Sequence, residues 1–337
     1  MKKSLVFLCL ILIVLAAFKL PDESLFKVPQ NWPKPNYDFS KNPLTKEKIF
    51  LGRTLFYDPI LSADNSISCS SCHSPFTAFT HTDHTLSHGI DDRIGTRNSP
   101  ALMNLAWQKS FMWDGAIHHL DAQALAPISH PDEMGSNIAD VVNRLQTKNR
   151  YKKLFALAYG DSLVSGERTL KALSQFMLTL VSSNSKYDKI QRKEAGFSFT
   201  EAEAKGYELF KSNCAVCHTE PLFTNNEFEN NGLEPDTNLN DIGRKKISQK
   251  ESDLYKFKVP SLRNIEFSYP YMHDGRYQNL EMVMFHYSAN IYDSKTLSKH
   301  LKKKIQLSSE DKSQLIAFLK TLSDESFLRN SQNGFPR

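Results

Sequence analysis

Two pentapeptides carry the chemistry that can be read from this chain: Cys69-Ser70-Ser71-Cys72-His73 and Cys214-Ala215-Val216-Cys217-His218. Each has the C-x-x-C-H form that marks covalent attachment of a c-type haem. Two thiols at that spacing can form thioethers to the two vinyl groups of one macrocycle, and the histidine that follows can bind the iron. Other uses of paired cysteines compete with this reading: a zinc site of four thiolates, a thioredoxin-like redox pair, or a simple local disulfide. None of these requires a histidine directly after both pairs. Two copies imply two covalently bound c-type haems in one polypeptide, and two irons close together imply electron traffic.

The chain has 337 residues and five cysteines, of which the two motifs use four. The fifth, Cys9, lies in a leader that reads as a signal peptide over residues 1–18. Lys2 and Lys3 precede an apolar run from Leu5 to Phe18, short for a membrane span and of a length that suits a signal-peptide core. Cleavage near Ala16-Ala17 is expected, with an uncleaved N-terminal membrane anchor as the alternative. C-type haem is attached outside the cytoplasm, so leader and motifs both point to a periplasmic protein. The net charge of +5 is too mild to argue for nucleic acid as a partner. The apolar fraction of 40% supports a core, and 22 phenylalanines suit surroundings built on flat macrocycles.

Elements that must position the motifs come in duplicate. Gly52-Arg53-Thr54-Leu55-Phe56 precedes the first motif and Gly206-Tyr207-Glu208-Leu209-Phe210 the second, both reading G-x-x-L-F. Thr200 and Glu203 predict a capping box that opens the second of these helices. Downstream, Pro100-Ala101-Leu102-Met103-Asn104-Leu105 leads to Met112-Trp113-Asp114-Gly115, and Pro260-Ser261-Leu262-Arg263-Asn264-Ile265 to Met272-His273-Asp274-Gly275. Proline to aspartate is 14 positions in both. The fold class expected is mainly α, with two cytochrome c-like haem domains arranged as an internal duplication: residues 40–185 and residues 195–337. Further helices are predicted over Ile138–Tyr159, ending at Gly160, over Leu170–Val181 and over Ser308–Leu322. Asn184–Thr200 reads as a polar junction, and Thr219–Asp241 as a long loop.

The repeat also speaks to the irons. Tyr287 lies 13 residues after Asp274, whereas the position 13 after Asp114 is Pro127. A phenolate can bind iron and a proline cannot. Superposed without gaps, the units leave the first iron, on His73, open on one face and close the second with His218 and Tyr287. Met284 and His286 are rivals to Tyr287 if the register slips.

At these residues the chain resembles the bacterial di-haem cytochrome c peroxidases and the related MauG-type di-haem enzymes, from about Leu44 to Leu322. The match includes Leu51-Gly52 to Asp58-Pro59, both haem motifs, Gly95-Thr96-Arg97-Asn98, Trp113-Asp114-Gly115 and Tyr269-Pro270-Tyr271-Met272-His273-Asp274-Gly275. The resemblance implies that the first haem reacts with hydrogen peroxide and the second receives electrons. It maps a catalytic glutamate to Glu133, a tryptophan between the haems to Trp113, and distal-pocket residues to Gln123 and Pro127. It implies a calcium ion held by the Asn98 side chain and the carbonyls of Ser268 and Pro270. Methionine-ligated members differ from tyrosine-ligated, MauG-type members at the place of Tyr287. His88, with His81 and His84 behind it, is the nearest candidate for a distal histidine, though exposed loop histidines are the plainer reading. Arg97 and Arg263 suit haem propionates.

Three functions follow as expectations. One is a periplasmic cytochrome-c peroxidase that reduces hydrogen peroxide with electrons from a small cytochrome c or cupredoxin. Another is a MauG-type oxidase that modifies a partner protein. The third is a non-catalytic electron carrier. A homodimer is left open.

Overall fold

The computed structural model describes residues 25–336; the leader over residues 1–18 and Cys9 lie outside the described residues. Among the described residues no helix is long and apolar enough to cross a membrane. The architecture is mainly helical. Among the described residues, seven helices have ten or more residues: α1 (Lys46–Tyr57), α2 (Ile138–Thr147), α3 (Asn149–Tyr159), α4 (Gly166–Leu178), α5 (Glu201–Asn213), α6 (Leu280–Ala289) and α7 (Ser309–Lys320). The one sheet among the described residues is a two-stranded antiparallel ribbon of β1 (Phe228–Glu229) and β2 (Phe257–Lys258).

Local sequence explains where most helices begin. Thr45, Ser165, Asn279 and Ser308 each accept a hydrogen bond from a first-turn N–H through the side chain. Thr200 and Glu203 form the predicted capping box on α5, which satisfies donors that the helix itself cannot. The predicted helix over Ile138–Tyr159 is instead two. Lys148 adopts an extended conformation and ends α2, its N–H bonding Leu145 O, before α3 starts. The bend lets Val141 and Leu145 on one helix, and Tyr151 and Phe155 on the next, face the same core.

Two apolar clusters form. The first packs α1 and α4 with Leu51, Leu55, Phe56, Phe79, Trp107 and Phe176. The second packs α5 and α7 with Phe210, Phe223, Leu315, Phe318 and Leu319. Each helix pair depends on a glycine. A Cβ on Gly52 would sit 1.8 Å from the carbonyl oxygen of Ala172 on α4, and one on Gly206 would sit 1.9 Å from that of Gln314 on α7. The G-x-x-L-F motif therefore marks the point where two backbones touch.

The chain also crosses between the clusters. The junction after residue 184 is not merely polar: it holds a helix, Lys186–Gln191, that buries Tyr187 in the second cluster and Asp188 against Arg263. Phe327 and Leu328, near the C-terminus, join the first cluster. Beyond them the Arg53 side chain donates to the carbonyls of Gly334 and Ser331.

Candidate haem and redox site

Each motif histidine is fixed by a backbone carbonyl. His73 Nδ1 lies 2.7 Å from Phe79 O, and His218 Nδ1 lies 3.1 Å from both Phe223 O and Pro260 O. A ring nitrogen facing a carbonyl must carry the proton, so Nε2 keeps the lone pair in both rings. Phe79 and Phe223 both have positive φ, at 59° and 54°. Burial holds the His73 imidazole down to about 4 and lowers that of His218 as well, which keeps both rings neutral and able to bind a metal.

All four motif cysteines are free thiols, which removes the local-disulfide reading. Cys69 packs against the first cluster and Cys214 against the second. Four thiolates thus do not gather on one zinc, and among the described residues no group of three or more His, Cys, Asp or Glu side chains could hold a metal ion. Burial pushes the thiols of Cys69 and Cys214 up to about 12. What the arrangement fits is two haems, each offered two neutral thiols and one imidazole with its Nδ1 already engaged.

A cavity of about 270 Å³, with mostly apolar walls, is lined from both halves of the chain. Its walls include Trp113 and Gln123 from the first unit, and Cys214, Cys217, His218 and Tyr287 from the second. Cys69, Cys72, His73 and Glu133 are not part of that lining. Trp113 is half-buried at the seam: its Nε1 donates to Asn98 O at 2.8 Å, and its carbonyl accepts from Lys258 N at 2.7 Å. Gln123 Nε2 lies 3.8 Å from Met112 Sδ. Asn98, Ser268 and Pro270 also line the cavity, and the Asn98 amide NH₂ donates to Thr85 O at 3.0 Å, which leaves its oxygen as acceptor.

Tyr287 sits in the same cavity as His218. Burial pushes its phenol up to about 12, and the thiols of Cys214 and Cys217 are near enough to act on it; a hydrogen bond with Asn231 opposes the shift. Of its rivals, His286 has both ring nitrogens engaged, Nε2 with Asn231 O at 3.0 Å and Nδ1 with Tyr277 Oη at 3.3 Å. Met284 lines the cavity but is packed into the second core cluster. In the first unit, Leu120 follows its cap residue His119 as Leu280 follows Asn279. Where α6 continues to Tyr287, the first unit has two short turns, Leu120–Gln123 and Leu125–Ser129, the second carrying Pro127.

Glu133 reaches the first motif along a different route. Cys72 Sγ contacts His88 O at 3.5 Å, and the next residue, Gly89, lies against the backbone of Asp132 and Glu133 so closely that a Cβ there would be 2.3 Å from Asp132 O. Ile90 N then donates to Glu133 O at 2.8 Å. Desolvation raises the Glu133 carboxyl above the usual range, opposed by His130 and assisted by Asp132, and Glu133 in turn acts on the Cys72 thiol. His88 stacks on His84 with centroids 4.1 Å apart, and His84 Nδ1 lies 3.0 Å from His81 Nε2, so the three histidines partner one another.

The two arginines assigned to propionates have other partners. Arg263 is fully buried and grips Asp188 through two hydrogen bonds of 2.9 and 2.8 Å. Arg97 binds Asp241 at 2.6 and 2.8 Å and Asp114 at 2.7 Å. Guanidinium does suit carboxylates here, but those of the protein. Sequence reasoning missed Asn231 and Lys258, which face this cavity from an asparagine-rich loop and a two-residue strand; neither position carries a motif that could have flagged it.

Comparison with known proteins decides the family. Over 308 residues the chain is 37% identical to the methylamine utilization protein MauG of Methylophilus methylotrophus, covering 90% of this chain and 89% of that one. The chain belongs to the di-haem cytochrome c peroxidase family. Residues 46–196 match that family's description directly. The cytochrome c551 peroxidase of Nitrosomonas europaea is 33% identical over 305 residues, 88% of this chain and 87% of that one. Among solved structures, a MauG-like protein associated with microbial copper homeostasis superposes with a TM-score of 0.80 at 32% identity, covering 92% of this chain and 98% of that one. Membership makes the protein an oxidoreductase with two c-type haems.

Proposed function

We propose that this protein is a periplasmic di-haem peroxidase that reduces hydrogen peroxide to water with electrons from a small cytochrome c or cupredoxin. The observation that carries the reading is the inequality of the two units: a phenol shares a cavity with His218, whereas the matching position of the first unit is Pro127. Cys69, Cys72 and His73 would hold the haem that supplies the peroxide chemistry, and Cys214, Cys217, His218 and Tyr287 would hold the one that supplies electron transfer. The two units, about residues 40–185 and 195–337, are read as copies of one ancestral domain.

The bound haems supply the iron at which peroxide is held and the electrons that reduce it. The chain's own residues move the proton. The Glu133 carboxylate accepts a proton from one oxygen of hydrogen peroxide and delivers it to the other, which leaves as water; with two electrons and two further protons from outside, two waters result. Desolvation of Glu133 suits it to this exchange, because a raised carboxyl gives its proton back more slowly to bulk water. Trp113, at the seam, relays electrons in this reading, and Gln123, which lines the cavity with it, serves the peroxide reaction. A calcium ion at the Asn98 side chain and the Ser268 and Pro270 carbonyls would meet oxygen donors of the kind it prefers. The leader supports export, with anchoring as the alternative.

Tyr287 favours a second reading, oxidation of a partner protein in the MauG manner. A phenolate stabilises higher iron oxidation states more than a thioether does. Electron paramagnetic resonance of the resting di-ferric protein tests the shared core of both readings. One high-spin and one low-spin signal are expected, and Tyr287→Phe is expected to convert the low-spin signal to high-spin with both haems still attached. Two low-spin irons that do not respond to peroxide would leave only the electron carrier. Steady turnover with reduced cytochrome c then separates the peroxidase from the protein oxidase.

A further inference from the structure

The cavity lined by Cys214, Cys217 and His218 is where a haem of the second motif would sit, and that haem would bring two propionate carboxylates. Burying a carboxylate without a partner is costly. Of the cationic side chains named for that task, Arg97 and Arg263 are committed to aspartates. Among the residues lining the cavity, a single lysine or arginine remains, Lys258.

Lys258 has the marks of an unfinished site. Its Nζ donates to Gln108 Oε1 at 2.6 Å and to Ser110 O at 3.0 Å, both neutral acceptors. An ammonium has three donors, so one is left over. Among the described residues no carboxylate lies within ion-pair distance of it. Asp114 attracts it from further away, but its Oδ2 is taken by Arg97 and its Oδ1 by the Ala116 N–H. Across the ribbon, Glu227 pairs with Lys109, and Glu229 bears on the Cys217 thiol. Strand pairing with Phe228 and the bond from Lys258 N to Trp113 O hold the backbone at the seam. Without a counter-charge, burial brings the ammonium down to about 8.

We propose that Lys258 is a cofactor-binding residue whose ammonium holds a propionate carboxylate of a haem seated at the seam beside Trp113. The proposal rests on the reading that Cys214, Cys217 and His218 hold a haem in this cavity, and a haem assay of the wild-type protein checks independently that both motifs are loaded. It gives Lys258 two jobs: orienting one macrocycle toward Trp113, and placing a positive charge that favours the ferrous state.

The test uses the mature holoprotein carrying Lys258→Met, Lys258→Arg or Gln108→Leu, each first shown to hold two haems by its pyridine haemochrome. Spectroelectrochemical titration of Lys258→Met is expected to show one haem shifted toward ferric by about tenfold, a midpoint lower by ~59 mV, with altered propionate bending bands in resonance Raman. Lys258→Arg restores both. Gln108→Leu, which removes only a neutral acceptor, lowers Tm and leaves the midpoints in place. If Lys258→Met does not fold, Lys258→Gln reads the same shift. Unchanged midpoints and unchanged propionate bands in a two-haem Lys258→Met or Lys258→Gln protein would overturn the proposal and leave Lys258 as a tie between the units.

Discussion

In the proposed reaction, Glu133 is where burial turns into chemistry. Its carboxyl is raised chiefly by desolvation, so the base form needed to accept a proton is lost as pH falls through a value above the ordinary ~4.3 of a glutamate. Peroxide cleavage by the di-ferric protein should therefore decline on the acid side earlier than a solvated glutamate would dictate. Glu133→Gln should slow cleavage about a hundredfold, abolish that acid limb and leave both haems attached. Stopped-flow mixing with peroxide across pH 4–8 reads all three, and equal rates in wild type and variant would remove Glu133 from the reaction. The haem-binding cysteines and histidines were legible because covalent attachment fixes their spacing within five consecutive residues. Arg97 and Arg263 were not. Their aspartates, Asp241 and Asp188, lie 144 and 75 positions away, and no local pattern announces a partner at that separation.

Elements follow the same divide between near and far. The capping box of α5 lies within four residues and was readable, as was the doubled G-x-x-L-F motif. The break at Lys148 was not, because the apolar spacing continues across it and only the shared core makes the chain turn. Nor was the burial of Tyr187 and Asp188 in a polar stretch legible, since it is set by contacts with Phe223 and Arg263. The glycines of the two motifs do similar work, so Gly52→Ala and Gly206→Ala should each force a helix pair apart. Overpacking of this kind costs about 1–3 kcal/mol, and a contact with backbone, which cannot swing away, belongs at the upper end. Urea unfolding should show both losses. If either alanine were accepted at no cost, the close approach of α1 to α4, or of α5 to α7, would not be the reason for that glycine.

At the scale of the molecule, Arg97 reaches Asp241, 144 positions along the chain, while also holding Asp114. Side-chain exposure is 19% for Arg97 and 7% for each aspartate, so the cluster lies below the surface, where removing one partner strands the others. Burial alone would push the Asp241 carboxyl up; the hydrogen bonds and charge of Arg97 outweigh it and hold the group below the usual carboxylate range. A group with a depressed folded pKa adds stability above its unfolded value, ~3.9 for aspartate, and loses it as pH falls through the folded value. Arg97→Met should thus cost ~3–5 kcal/mol at neutral pH, and the gap from wild type should narrow below about pH 4. Adding Asp241→Leu to Arg97→Met should recover part of the loss, because one stranded charge is then gone. Asn98 N also donates to His273 O at 2.7 Å next to this clamp, so the variant should loosen the seam that carries Trp113 and slow electron passage between the haems after a pulse of reductant. A loss that stayed constant from pH 7 to pH 3, or transfer at the wild-type rate, would mean that the two units keep their register without the arginine.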